Sequence, residues 1–69
     1  MSDLDTRLLS AHARGDRDAL ITLYMEASEA ATNDVASGFY LTRAYVFALE
    51  AGDARAEGLA QKLRAQGRL

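Results

Sequence analysis

The sequence predicts an all-α protein, and three observations support that prediction. The chain has no proline and only five glycines, and it is rich in alanine, leucine, glutamate and arginine, which favour helices. β-branched residues are few, which argues against a sheet. Apolar residues recur at spacings of three and four, as they do along one face of an α-helix. A chain of this length forms one domain, residues 1–69.

The helix boundaries follow from glycines and capping residues. Gly15 and Gly52 each end a helix as a left-handed stop, and the aspartate after each glycine can cap the next helix. The polar run at residues 32–34 forms the remaining break, with Asn33 or Asp34 as the cap. Because the connections are short, neighbouring helices should be antiparallel. Four helices are predicted, over about residues 3–14, 17–31, 34–51 and 54–66.

The third predicted helix is apolar on almost every side, and only Arg43 and Glu50 form a charged wedge. A helix of this kind is usually buried or crosses a membrane. The two charges interrupt a run shorter than the ~20 residues that a bilayer requires, so we expect no membrane span. The helix should instead be enclosed by other helices, from this chain or from a partner. One of its apolar stripes consists of Val35, Phe39, Thr42, Val46 and Leu49, and the other of Ala36, Tyr40, Ala44, Phe47 and Ala51.

One short motif occurs twice in the chain. The pattern A-x-x-x-G-D-x-x-A runs from Ala11 to Ala19 and again from Ala48 to Ala56, an offset of 37 residues. The alanines let two helices approach closely, the glycine supplies a left-handed turn residue, and the aspartate caps the returning helix. One helical hairpin in each period of 20–50 residues is typical of an α-solenoid.

With this motif the chain resembles the tetratricopeptide-like superfamily, and within it the Sel-one-like branch. The recurrent core positions of that branch are matched by Tyr45, Ala48, Leu49, Gly52, Asp53 and Ala56. The chain departs from the pattern because neither unit has a tryptophan, no proline closes a unit, and Arg7 stands where the second copy has Ala44. The resemblance implies two stacked helical hairpins that act in protein–protein interaction. A four-helix bundle without repeats is the alternative.

The composition sets aside several classes of function. There is no cysteine, so a disulfide framework and a thiolate metal site are excluded. The net charge of −2 does not indicate a nucleic-acid partner, which would favour a basic chain. The first residues do not form a targeting signal. We therefore expect a cytoplasmic protein, and the excess of arginine over lysine suggests a bacterial source. No cofactor is expected.

Three groups of side chains suggest chemistry, and each has a simpler structural interpretation. His12 lies four residues before Asp16, as a general base and its orienting acid would, but no nucleophile is associated with the pair. Glu26 and Glu29 share a face, but the histidines of a di-iron site are absent. The cations of the fourth helix do not form one stripe and no aromatic residues interleave with them; they are Arg55, Lys62, Arg64 and Arg68.

The sequence therefore predicts a small interaction module rather than an enzyme, with no catalytic or metal-binding residue. Two units are fewer than the three that usually make a stable stack, and a second copy of the chain is the simplest cover, as a homodimer. The alternative is a small regulatory domain that binds a small ligand, through His12 or Tyr24, or a nucleic-acid or other anionic surface, through the fourth helix. Aromatic residues beside an arginine are typical of an interface core, and the candidate interface residues are Tyr40, Arg43, Phe47 and Glu50. Packing within the chain is the other interpretation of these four.

Overall fold

The protein is described here by a computed structural model that covers residues 3–69, and these residues form helices and short turns with no strand among them. The predicted fold class is confirmed. The predicted helix ends differ from the observed ones by one residue at three places. The helices are α1 (Asp3–Arg14), α2 (Arg17–Ala30), α3 (Asp34–Ala51) and α4 (Arg55–Ala65).

Successive helices pack against each other. α2 lies between α1 and α3, α3 lies between α2 and α4, and no Cα atom of α1 comes within 8 Å of one in α3 or α4. The Cα atoms span only 31 × 29 × 11 Å. The molecule is therefore a flat array of helices, and every helix keeps one side open.

The core is built from one apolar face of each of the four helices. Ala11, Ala44 and Ala48 are completely buried, and such small residues allow neighbouring helices to approach closely. Where α2 crosses α3, the hydroxyl of Ser28 donates to the carbonyl oxygen of Ser37 at 2.9 Å, so the buried polar group is satisfied. The largest fully buried side chains are Ile21, Leu59 and Leu63.

The repeated sequence motif folds into the same turn twice. Gly15 and Gly52 adopt left-handed φ angles of 64° and 63°. The N–H of the residue after each glycine donates to the carbonyl oxygen of Ala11 or Ala48, at 3.0 and 2.9 Å. This bond is the mark of a Schellman motif. Gly67, with a φ of 72°, ends α4 with the same arrangement.

The two aspartates of the motif act differently. Asp16 caps α2 as predicted, because its carboxylate accepts from the N–H of Ala19 at 3.1 Å. Asn33 caps α3 in the same way. The predicted equivalent for Asp53 is wrong: its carboxylate accepts from the N–H of Arg55, two residues on, at 2.9 Å. The side chain of Arg55 binds the same carboxylate, whereas the residue at the equivalent position after Asp16 is Asp18, whose carboxylate has no N–H to donate.

Of the two covers that its composition suggested, helices of this chain or of a partner, the described chain does not supply the first, and the third helix is not enclosed. The buried side of α3 carries Gly38, Leu41, Ala44 and Ala48, and both α2 and α4 pack on α3. No helix of the described chain covers the other side. One apolar stripe of α3 is consequently at the surface.

Candidate interaction surface on the third helix

The exposed apolar stripe of α3 consists of Val35, Phe39, Thr42, Val46 and Leu49, and is called here the α3 stripe. The exposed fractions of its four hydrophobic residues are 75% for Val35, 59% for Phe39, 40% for Val46 and 54% for Leu49. Scattered single hydrophobic residues are normal on a surface, but a contiguous row is typical of a contact site. The α3 stripe is therefore the first candidate for a functional surface.

The spacing within the α3 stripe is four, three, four and three residues. This alternation is the pattern of the core positions in helices that pair along their length. The polar member, Thr42, donates its hydroxyl to the carbonyl oxygen of Gly38 at 2.8 Å. The hydroxyl is thus satisfied inside the helix and requires no polar partner on an opposing surface.

The rest of the described surface lacks a comparable apolar row. Among residues 3–69, the large hydrophobic residues that are exposed outside α3 are Leu9, in α1, and Leu69. The exposed positions of α2 and α4 are charged, polar or small. The apolar surface of the array is therefore concentrated on one side of one helix.

A cluster of rings joins α1, α2 and α3 beside the α3 stripe. The Tyr24 ring stacks on Phe47, with centroids 5.8 Å apart, and on Tyr40 at 6.2 Å. His12 meets both Tyr24 and Phe47 edge-on, and its Nε2 atom is hydrogen-bonded to the Tyr24 hydroxyl at 2.9 Å. Such ring pairs stabilise packing beyond the area that they bury, so the cluster fixes α3 on α2.

Of the four predicted interface residues, two belong to this cluster and two lie between it and the α3 stripe. Tyr40 and Phe47 are half-buried against Tyr24. The guanidinium of Arg43 lies over the Tyr24 and Phe47 rings, 5.8 and 5.5 Å from their centroids. Glu50 is half-exposed and lies 3.7 Å from the Arg17 Nε atom. Two of the four residues therefore anchor α3 in the fold, and two present charges along the border of the stripe.

Arg55, one of the four cations considered in the fourth helix, has partners within the fold. The Arg55 side chain binds Asp53 through Nε and Nη2, and it also donates to Thr22 and Asp18 of α2. Hydrogen bonds from the Arg55 side chain and backbone hold the pKa of the Asp53 carboxyl at about 2, below its usual 3.8. Arg55 is thus committed to joining α4 to α2 and is not available for phosphate binding.

The other candidate sites also have structural roles. His12 is bonded to Tyr24, whereas Asp16 caps α2, so the two do not form an acid–base pair. Glu26 accepts a hydrogen bond from Arg7 at 2.8 Å. Residues 3–69 contain no group of three or more side chains placed to hold a metal ion. A surface depression of about 390 Å³ between α1 and α2 is lined by neither His12 nor Tyr24.

The α3 stripe was visible in the sequence as a pattern but was assigned to the interior. Arg43 and Glu50 lie between this stripe and the ring face that packs on α2, so the two charges mark an edge of the stripe without indicating which apolar face is exposed. An exposed row of apolar residues with charges along its border has the arrangement of an interface, which is apolar at its centre and polar at its rim.

Comparison with protein-family models, with curated proteins and with solved structures finds no match for the chain. The resemblance to Sel-one-like repeats therefore stays a prediction. Within the described residues, no helix combines the length and the apolar character needed to cross a lipid bilayer.

Proposed function

We propose that the protein is a small protein–protein interaction module, an adaptor or scaffold without catalytic chemistry, and that the α3 stripe is its contact surface. The observation that carries the proposal is the exposure of four large hydrophobic residues in one row on α3. Leaving such a row in water has a cost of roughly 25 cal/mol for each Å² of apolar surface. A partner that covers the row removes that cost.

The surroundings of the α3 stripe support the proposal. The ring cluster around Tyr24 holds α3 rigidly against α2, and a rigid surface loses little conformational entropy on binding. Arg43 and Glu50 provide a charged rim, and the outer parts of Tyr40 and Phe47 lie next to it. The predicted interface residues thus serve as the border of the contact surface, with the α3 stripe as its centre.

We further propose that the protein self-associates as a homodimer in the cytoplasm. Two hairpin units are a small stack, and a second copy of the chain supplies the missing cover in the commonest oligomeric arrangement.

Photo-crosslinking in the cells of origin tests whether the α3 stripe is a contact surface. The photoreactive residue benzoyl-phenylalanine replaces Phe39 in one variant and Leu9 in a control. The two positions are matched, since their side chains are 59% and 60% exposed but lie on different helices. We expect protein adducts from position 39 and few from position 9, with mass spectrometry identifying the crosslinked chains.

Equal adduct yields at the two positions, or no adducts at position 39, would contradict the proposed contact surface. Adducts at position 39 that contain only other proteins would support an interaction module and exclude the homodimer.

A further inference from the structure

We propose that two copies of the chain pair through their α3 stripes, with the two α3 helices antiparallel about a twofold axis. In this arrangement Arg43 of each copy meets Glu50 of the other. The inference rests on the proposed function, because it identifies the partner and the geometry of the same surface.

The surface that fits the α3 stripe is the same stripe on a second copy of the chain. A head-to-tail contact between copies requires a second apolar surface elsewhere on the chain for the stripe to cover. The described residues outside α3 offer only the isolated Leu9 and Leu69. The stripe itself is the one surface of matching length and character, so a contact between copies must be isologous, with the same row on both sides.

The direction of the paired helices follows from the positions of Arg43 and Glu50. When helices pair in parallel, the residues that border one core row face those on the opposite border of the other. Arg43 and Glu50 are on the same border, so parallel pairing brings neither to the other. Antiparallel pairing brings equivalent borders together. In the register described below, the Arg43 and Glu50 Cα atoms of the two copies are five residues apart along the helix axis, ~7.5 Å. Because side chains lean towards the N-terminus of their own helix, these two long side chains lean towards each other in an antiparallel pair, and they can form two ion pairs related by the twofold axis.

Two further effects favour the antiparallel arrangement. Antiparallel helices oppose their macrodipoles, whereas parallel ones align them. Parallel pairing in register would also place Phe39 against Phe39 and Thr42 against Thr42. With the axis near Ala44, Phe39 faces Leu49 of the second copy and Thr42 faces Val46. Each pair of facing residues then combines two side chains of different shape, and threonine does not face threonine.

The contacts that Arg43 and Glu50 make within the chain are compatible with this pairing. Arg43 is exposed, and its guanidinium lies on ring faces without an ion-pair partner among residues 3–69. The carboxylate of Glu50 is half-exposed and its contact with Arg17 is long, at 3.7 Å. Both charges remain accessible to a second chain.

Disulfide trapping tests the direction and the register. The natural chain has no cysteine, so single substitutions give unambiguous products, and Thr42→Cys and Val46→Cys change the size of the stripe very little. The two variants, one of them carrying a tag that changes its mass, are mixed and oxidised. We expect a covalent heterodimer from the mixture and little covalent product from either variant alone. An Ala13→Cys variant, with the thiol on the exposed side of α1, is the control for random collision.

Three results would overturn the antiparallel pairing. Efficient crosslinking of each variant with itself would indicate parallel helices. Crosslinking no stronger than that of the Ala13→Cys control would show that the copies do not meet here. If light scattering gives the mass of a monomer for the wild-type protein up to millimolar concentration, pairing of copies is excluded altogether. In that case, photo-crosslinked adducts of position 39 with other proteins would still support the proposed interaction module.

Charge reversal tests the crossed ion pairs separately. Arg43→Glu and Glu50→Arg each place like charges together twice, and we expect each to raise the dimer Kd roughly tenfold. Because the double variant restores both pairs with opposite polarity, its Kd should return to within about threefold of the wild-type value. Circular dichroism confirms that each variant is folded. A double variant as weak as the single ones would contradict the pairing of Arg43 with Glu50.

Discussion

At the scale of single residues, two glycines determine where the chain reverses. Gly15 and Gly52 have left-handed φ angles, and a Cβ atom at either position would meet nothing within 4 Å. The cost of a side chain there is therefore conformational and not steric. A left-handed φ disfavours any residue with a Cβ atom by roughly 1–2 kcal/mol.

We expect Gly15→Ala and Gly52→Ala each to lower the free energy of unfolding by about 1 kcal/mol. Gly58 is the matched control. It lies inside α4 with open space around it, so Gly58→Ala should raise the free energy of unfolding by up to about 1 kcal/mol through helix propensity. Urea unfolding measures all three. A loss in Gly58→Ala equal to that in Gly52→Ala would contradict the conformational explanation.

The ionisation of Asp53 gives the fold a dependence on pH. Folding lowers the pKa of this carboxyl from 3.8 to about 2. The ionised form therefore stabilises the folded state at pH above about 4, and this contribution is lost as the pH falls towards 2. We expect Asp53→Asn to have a lower Tm than the wild type at pH 7, and the difference to shrink between pH 4 and pH 2.

The same substitution in an Arg55→Gln background is the control for this prediction, since the hydrogen bonds from the Arg55 side chain are the largest cause of the lowered pKa. In that background the difference in Tm should vary much less with pH. A wild-type advantage that stays constant down to pH 2 would contradict the assignment.

At the scale of the elements, α3 carries two kinds of aromatic residue. Phe47 is half-buried in the ring cluster around Tyr24, whereas Phe39 belongs to the α3 stripe and its ring meets that of the neighbouring Tyr40 edge-on. We expect Phe47→Ala to lower the free energy of unfolding by about 2 kcal/mol, less than the 3–5 kcal/mol for a fully buried ring. Phe39→Ala should cost less than about 0.5 kcal/mol in the monomer.

The concentration of the protein separates these two roles. Unfolding is measured at low micromolar concentration and again at several hundred micromolar. If the copies pair through the α3 stripe, the wild-type Tm rises with concentration by mass action, and the rise is absent in Phe39→Ala. Equal losses of stability in the two variants at low concentration would show that the two sides of α3 are not distinct.

The helices themselves were predictable because their signals are local. A glycine in a left-handed turn and a capping side chain such as Asp16 or Asn33 depend on a few neighbouring residues only. The exposed side of α3 was not predictable in the same way. Its apolar residues surround the helix, so the periodicity favours no face, and the choice depends on where α2 and α4 lie. The role of Asp53 was also missed, because it depends on the Arg55 side chain reaching back to it.

At the scale of the whole molecule, stability is unevenly distributed across the flat array. α2 and α3 each pack on two helices, whereas α1 and α4 each pack on one. Because local opening is easiest where few packed contacts must break, we expect amide hydrogen exchange to be slowest in α2 and α3 and faster in α1 and α4. Exchange in α1 as slow as in α2 would contradict this order.

The turn at Gly67 repeats the bend that elsewhere in this chain leads from one helix into an antiparallel neighbour. A further helix can therefore be added to the array by protein engineering. A synthetic helix fused after this bend, with leucines at alternating intervals of three and four, would fold back beside α4 and lie along the row from Val35 to Leu49. The added helix would then cover the exposed apolar residues of α3 within the same chain. The product would be a soluble monomer in which any activity that depends on those residues is abolished.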